Sequence, residues 1–552
     1  MGEILKVAEE TRTNRTASVA VPGGWEARPK PTRLRRTVWR LLPARRFHDI
    51  LRRANTPPAA LALLVVSTLF LRLVFASAFG LGIDESYMVA AGRELHLSYF
   101  DHPPLAWWMA WGAAHLFGTD APWAVRLPFV LTFAGTTWLM FALAARFYGA
   151  RAGFWAAALL NAAPVLGVTS ATWVLPDGPL LAALLGAAIC FDRCIAASGN
   201  AAWRWWISTG LCTGLALLSK YSAILTITGA AVFLLTEPSA RRWLSRPHPY
   251  VAGLVALAVF SPVLIWNAQN GWVSMAFQGG RAAATRLHPL GPLSTLGGEA
   301  LFLLPWMWLP LVLCGALALR RGRGDRWSWL LACLGIPPIL FFLVVSLWSH
   351  VLFHWAAPGY LMLFPLLGEA VGRLREKSRT VRVSLWATAG VVVSAALLVA
   401  SEVRFNWMPD VVEDFALGRD PDIDAVDWTS VRDELADRGL LARPNLLLAG
   451  TRWFDAGKTD YALQGKARVI CLGDDAREYG VLAKPASYSG HDVLILGPRL
   501  SLKQIEARFS NEFAYIEELK PILMRHAGRP AMLIPVFMGH HFQQGWVYRL
   551  DI

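Results

Sequence analysis

Eleven apolar runs, each long enough to cross about 30 Å of hydrocarbon as a helix, constrain this chain more than any other feature. They fall near 58–79, 121–145, 152–171, 177–196, 205–219, 221–237, 249–267, 298–319, 327–347, 352–371 and 382–401. The stretch 103–117 is also apolar, but it is short and aromatic and suits the membrane interface. Of the 552 residues 55% are hydrophobic and 17% charged, outside the usual balance of a soluble domain, so a polytopic membrane protein is expected. The formal charge of +14 does not indicate nucleic acid, because the basic residues lie in short gaps between apolar runs rather than on one folded surface. The six cysteines show no metal-finger spacing and no disulfide framework.

Orientation follows from the basic residues of the short loops, which favour the cytoplasm. Residues 1–57 are polar, with Arg33, Arg35, Arg36, Arg40, Arg45, Arg46, Arg52 and Arg53 before the first apolar run. A cleaved leader would place its apolar core nearer the start, so a basic cytoplasmic tail is expected. The inner loops then hold Arg146 and Arg151, Arg193 and Arg204, Arg241 and Arg242, Arg320 and Arg321, and Arg373 and Arg375. The outer loops hold few, chiefly Arg93, Lys220, Arg281 and Arg286. An odd number of spans over 58–401 puts residues 402–552 outside. That last region is mixed in charge, with strand-like runs at 446–449, 469–472 and 493–496 and a helical pattern at Leu502–Phe509. A small extracytoplasmic α/β domain of accessory character is expected there.

The same topology gathers the unusual polar residues on the outer face. The first outer loop reads Gly82-Ile83-Asp84-Glu85-Ser86-Tyr87 and later Tyr99-Phe100-Asp101-His102-Pro103-Pro104. Paired carboxylates at an aqueous face divide the work of general base and of metal or substrate binding, and the Pro-Pro pair restricts the backbone that holds the second one. His102 beside Asp101 is a base, a metal ligand or an ordinary hydrogen-bonding side chain, so a divalent ion on Asp101 and His102 is a candidate cofactor. Lys220 interrupts a long apolar stretch, where an ionisable residue is costly unless it meets water or a cavity. It either snorkels or offers a point charge to an anionic lipid head group, and Arg72 in the outer half of the first span has the same two readings. Asp177, after Pro176, is a helix cap or a substrate contact. His350 and His354 reach one face if their turn is helical, and the many tryptophans form mostly interfacial belts.

The order of Asp84-Glu85, Tyr99-Phe100-Asp101-His102-Pro103-Pro104-Leu105, Pro176-Asp177-Gly178-Pro179 and Gly214-Leu215-Ala216-Leu217-Leu218-Ser219-Lys220-Tyr221 resembles the bacterial glycosyltransferase 39 and 83 type proteins. These are relatives of the protein O-mannosyltransferases and of the lipid A aminoarabinose transferase, and the resemblance covers roughly residues 58–400. It implies a mainly α, polytopic GT-C bundle that receives a polyprenyl-phosphate sugar from the lipid. It also implies that Asp84 is the key acidic residue of the first outer loop, and that Lys220 meets the lipid-linked phosphate. The aminoarabinose transferase has Glu-Lys where this chain has Asp101-His102, so the carboxylate is kept and the lysine is not.

The expected machinery is therefore Asp84, Glu85 and Asp101 as catalytic carboxylates, and Lys220 and Arg72 for the donor phosphate. His102, Asp177, Tyr221, His350 and His354 are expected around the substrates. The acceptor is an envelope glycolipid, a polysaccharide or a protein on the periplasmic face of a bacterial inner membrane. The competing expectation is a transporter or flippase of a lipid-linked sugar. Transporters commonly carry internal repeats and broken midplane helices, whereas this chain shows no half-to-half repeat.

Overall fold

The computed structural model describes residues 56–283, 286–405, 407, 428–444, 446–483, 485–498, 500–526 and 529–543. The expected basic tail lies almost wholly outside these residues, and the described part belongs to one compact unit. Six described helices are long and apolar enough to cross a membrane: Pro57–Ala78, Pro122–Tyr148, Asp177–Ala196, His248–Gln269, Arg326–Val345 and Arg379–Phe405. Three further pairs pass the same test as bent spans: Ala150–Ala162 with Val165–Thr172, Ala223–Thr236 with Pro238–Ser245, and Gly291–Leu303 with Pro305–Gly324. Their bends of 83°, 96° and 113° coincide with Pro164, Pro238 and Pro305. Proline removes a helix donor and clashes with the preceding turn, so the chain turns there.

Nine spans at most thus meet the criterion among the described residues, fewer than the eleven expected. The other two expected spans are helical but different in kind. Gly199–Ser219 is a 21-residue helix whose polar end carries Arg204. The run expected at 352–371 is split into Ala357–Leu361 and Phe364–Leu374, each with a proline within its first two residues. Leu105–Phe117 is a helix of 13 residues, too short to cross.

The C-terminal part contains a five-stranded sheet in the order β2-β1-β3-β5-β4. Its strands are β1 Leu447–Gly450, β2 Val469–Cys471, β3 Val493–Leu496, β4 Tyr515–His526 and β5 Arg529–His540. The first three are parallel, and β5 and β4 add an antiparallel hairpin. Strands β1, β2 and β3 are buried along their whole length, as parallel strands covered on both faces must be. The short apolar runs read from the sequence form these three strands. The long hairpin was not read, because its alternation of polar and apolar residues is broken by Pro521 and Pro535.

This sheet does not stand apart from the helices. The helix Trp453–Leu463, which follows β1, lies against Ile83–Ala91 so closely that a Cβ on Gly457 would sit 2.8 Å from both Cα and Cβ of Tyr87. Lys458, fully buried, donates to the Leu81 carbonyl at 2.6 Å. Arg93 pairs with Asp460 at 2.7 Å, and the Tyr461 hydroxyl donates to the Asp120 carbonyl at 3.1 Å. The first polar loop of the membrane part is therefore clamped by the C-terminal domain.

Candidate active site

Ile83–Ala91 begins at the polar loop, which puts the two adjacent acids on opposite sides of its first turn. Asp84 is exposed, whereas Glu85 is 1% exposed. Both oxygens of Glu85 are taken: Arg126 approaches Oε1 through Nε at 2.8 Å and Oε2 through Nη2 at 2.5 Å. The backbone N–H groups of Gly82 and Val174 donate to the same carboxylate at 2.9 and 3.0 Å. Arg126 also donates to the carbonyls of Ala76, Phe79 and Gly80, so the pair ties the end of the first span to the loop. Burial alone would push the Glu85 carboxyl up, but the Arg126 charge and these hydrogen bonds hold it below its ordinary value. Glu85, expected among the catalytic carboxylates, has the geometry of a structural anchor.

Asp101 is 2% exposed and held at three atoms. The Tyr87 hydroxyl donates to Oδ1 at 3.2 Å, Arg477 Nη1 lies 3.2 Å from Oδ2, and Gln278 Nε2 donates to its carbonyl at 2.6 Å. Burial lifts the Tyr87 hydroxyl well above its ordinary range, with the Asp101 charge adding to it, so it is a neutral donor. His102 follows between two ion pairs and feels Asp101 and Arg477 on one side and Lys220 and Asp177 on the other. Burial outweighs the nearby carboxylates and lowers it to about 4, so it is neutral at physiological pH.

Lys220 ends the helix Gly199–Ser219 and Asp177 starts the helix Asp177–Ala196. Lys220 Nζ lies 3.0 Å from each Asp177 oxygen, and the lysine side chain keeps 13% exposure. His354 lies within electrostatic reach of this pair and of Arg281. His350 is exposed, and the segment from 350 to 356 is not helical, so the two histidines are not built as one face. Tyr221 packs edge-on against Phe260. It turns a buried hydroxyl toward Ser274, Asn267 and Ser98 without meeting any of them in hydrogen-bond geometry.

Arg72 does not reach this group. It donates to the Gly167 carbonyl at 3.2 and 2.8 Å and to Asn161 Oδ1 at 2.9 Å, and its guanidinium lies 4.6 Å from the Phe133 ring centroid. Those bonds satisfy the π-helical turn Val165–Thr169 at the bend of the third span. A charged side chain in the membrane is worth its cost when it pairs with freed backbone carbonyls, and here it does. The expected phosphate role for Arg72 is therefore not the one its geometry supports.

Two cations that sequence reasoning did not place in the site are present. Arg281, near the end of Val273–Ala282, covers Trp355 at 4.6 Å and Phe277 at 5.4 Å. Its field reaches Arg477, Asp101, Asp475 and Asp84. Arg477 enters from the C-terminal domain, more than 370 residues away along the chain. The expected Asp101–His102 metal site does not fit this donor set. The oxygens of Asp101 are engaged by a cation and a phenol, and no group of three or more His, Cys, Asp or Glu among the described residues is arranged for a metal ion.

Comparison with known proteins agrees with this architecture. Residues 101–266 match the family model described as dolichyl-phosphate-mannose-protein mannosyltransferase. The lipid A galacturonosyltransferase RgtD of Rhizobium johnstonii is 23% identical over 293 residues. That match covers 50% of this chain and 58% of the relative, so the chain matches little more than half of the relative's length. The crystal structure of ArnT from Cupriavidus metallidurans bound to undecaprenyl phosphate superposes with a TM-score of 0.59 at 17% identity. It covers 86% of this chain and 97% of its own. The apo form of the same protein gives 0.60 at 16% identity, covering 87% and 98%. The fold is thus the mainly helical membrane fold of ArnT with its small sheet, as the order of motifs in the sequence implied.

Proposed function

We propose that this chain is an integral-membrane glycosyltransferase that moves a sugar from a polyprenyl-phosphate donor to a lipid A-type glycolipid on the periplasmic face of a bacterial inner membrane. One observation carries the reading: an exposed carboxylate, Asp84, shares a field with Arg281 and Arg477 beside the Lys220–Asp177 pair, all at one end of the helical bundle. Lys220, Arg281 and Arg477, gathered about these carboxylates, suit the phosphate of a lipid-linked donor. Leu184, Ala188, Phe191, Thr209, Thr226 and Leu334 line a small apolar pocket of about 50 Å³ among the helices. Its Leu184–Phe191 wall lies roughly 10–20 Å along the helix that Asp177 begins, at about 1.5 Å per residue.

In the reaction the acceptor oxygen attacks the anomeric carbon from the face opposite the phosphate. The bond from that carbon to the phosphate oxygen breaks, and the polyprenyl phosphate leaves with the electron pair. Asp84 takes the proton of the acceptor hydroxyl, because it is the exposed carboxylate of the group. Arg281 and Lys220 meet the charge that develops on the leaving phosphate. Asp101, with its oxygens engaged, fixes the loop that carries His102. No step requires a metal. The resemblance to RgtD, a lipid A galacturonosyltransferase, supports the glycolipid acceptor over a polysaccharide or a protein.

Mass spectrometry of envelope glycolipids from a strain lacking the gene tests the reading. Loss of one sugar from lipid A, with build-up of its polyprenyl-phosphate donor in the outer leaflet, is expected. Donor trapped in the inner leaflet would replace transfer by flipping, and loss of sugar from a protein or polysaccharide instead would move the acceptor.

A further inference from the structure

Through the segment Asp475-Ala476-Arg477-Glu478 the C-terminal sheet domain reaches the polar residues of the proposed site. Arg477 has φ 49° and ψ −130°, a left-handed backbone that a residue with a side chain adopts only when its surroundings enforce it. The enforcing contacts are specific. Its guanidinium lies 3.7 Å from the Trp453 ring centroid, and it bridges Asp101 Oδ2 at 3.2 Å and Asp475 Oδ2 at 3.5 Å. The next residue completes the arrangement from its backbone and its side chain. The Glu478 N–H donates to the Tyr87 oxygen at 3.0 Å, and Tyr87 in turn donates to Asp101 Oδ1 at 3.2 Å. Glu478 Oε2 accepts from the Phe100 N–H at 2.7 Å.

A simple docking contact does not need this. The interface is already secured by Lys458, Arg93 with Asp460, and the close approach at Gly457, none of which uses a strained residue. Arg477 and Glu478 do something else: they reach the Asp101 carboxylate from both sides, directly through Arg477 and by relay through Tyr87. Left alone, that buried carboxylate would turn or take up a proton, because a charge without a partner in such a place is costly.

We propose that Arg477, with Glu478, is a positioning residue of the transfer site: it fixes the Asp101 carboxylate and the His102 loop, so that the C-terminal domain is an obligatory part of the reaction centre. The inference rests on the transferase reading above. It places the strain at Arg477 in the service of a geometry that the membrane helices do not build by themselves.

The test uses the full chain in proteoliposomes, with undecaprenyl-phosphate-linked sugars, galacturonic acid among them, as donors and purified lipid A as acceptor. Arg477→Gln and Asp101→Asn are each expected to lower kcat at least tenfold, with the KM for donor changed less than threefold. The double variant is expected to be no slower than Asp101→Asn, because Arg477 acts through that carboxylate. Arg477→Lys keeps the cation but loses the fork and the stacking on Trp453, and a partial recovery of kcat is expected. If Arg477→Gln does not fold, Arg477→Lys combined with Asp101→Asn supplies the same cycle. Losses that multiply in the double variant, or an unchanged kcat in folded Arg477→Gln protein, would overturn the inference and leave the transferase reading standing. Absence of transfer by the unmutated protein with every donor would overturn that reading and this inference with it.

Discussion

Arg126 grips Glu85 through both of its oxygens, and the two side chains are 4% and 2% exposed. Residues adjacent in sequence thereby acquire opposite duties: Glu85 anchors the loop, and Asp84 faces the solvent. Removing one partner of such a buried pair costs about 3–5 kcal/mol. Glu85→Ala is therefore expected to lower the melting temperature sharply, and any loss of activity should track loss of folded protein in a thermal melt followed by size-exclusion chromatography.

The same pair predicts a pH dependence of stability. The Glu85 carboxyl is held below its ordinary value in the folded protein, so its contribution is complete above the unfolded carboxyl range, about 4.3. It is lost as the pH falls through the lower folded value. Thermal melts are expected to show a drop in stability below about pH 4 that is absent in Glu85→Gln.

Lys220 is bonded to Asp177, which complicates a single substitution because alanine would strand a buried carboxylate. Lys220→Ala is expected to raise the donor KM about 10–100-fold, in line with a charge-assisted hydrogen bond of about 1.5–3 kcal/mol. The combination Lys220→Ala with Asp177→Ala removes the stranded charge and separates the two roles. If the lysine meets the phosphate, donor use stays impaired in the double variant; if the pair is only structural, it recovers.

Arg72 provides the contrast. Its bonds to Gly167 and Asn161 secure the bend of the third span, so Arg72→Ala is expected to destabilise the bundle while the donor KM of the folded fraction stays near wild type. A raised donor KM without loss of stability would return Arg72 to the phosphate site.

The contrast between Arg72 and Lys220 shows what the sequence could and could not disclose. Both interrupt apolar runs and both were legible as costly charges, but only the fold tells which one meets freed carbonyls and which meets a carboxylate at the bundle end. Arg126 carried the same signal and was hidden because it lies near the start of an apolar run, four residues after Pro122. Asp101, His102, Asp177, Lys220 and His354 were legible because the spacing of spans put them on one face, and the structure brings them together. His350 and His354 share a face only if their turn is helical, and the segment from 350 to 356 is not. Arg477 and Glu478 had no readable signal, since their partners Asp101, Tyr87 and Phe100 lie in another domain and only tertiary contact joins them. All eleven expected runs are helical, nine of them within the length and hydropathy of a span among the described residues and two as Gly199–Ser219 and the pair Ala357–Leu361 and Phe364–Leu374.

Removal of metal separates the proposed chemistry from the metal-assisted alternative read from Asp101 and His102. Incubation with a chelator followed by gel filtration is expected to leave the transfer rate unchanged. A loss restored by a divalent ion would restore the metal reading of that loop.

Transfer by purified protein with and without the Asp84 carboxylate tests the central claim most directly. In proteoliposomes containing an undecaprenyl-phosphate-linked sugar and lipid A, wild type is expected to release undecaprenyl phosphate and glycosylate the acceptor. Asp84→Asn keeps the shape and removes the basicity, so its turnover is expected to fall about 10²–10⁴-fold, the contribution of a positioned general base, with an unchanged melting temperature. Transfer by Asp84→Asn at the wild-type rate would contradict the account and displace the reaction centre from the first polar loop.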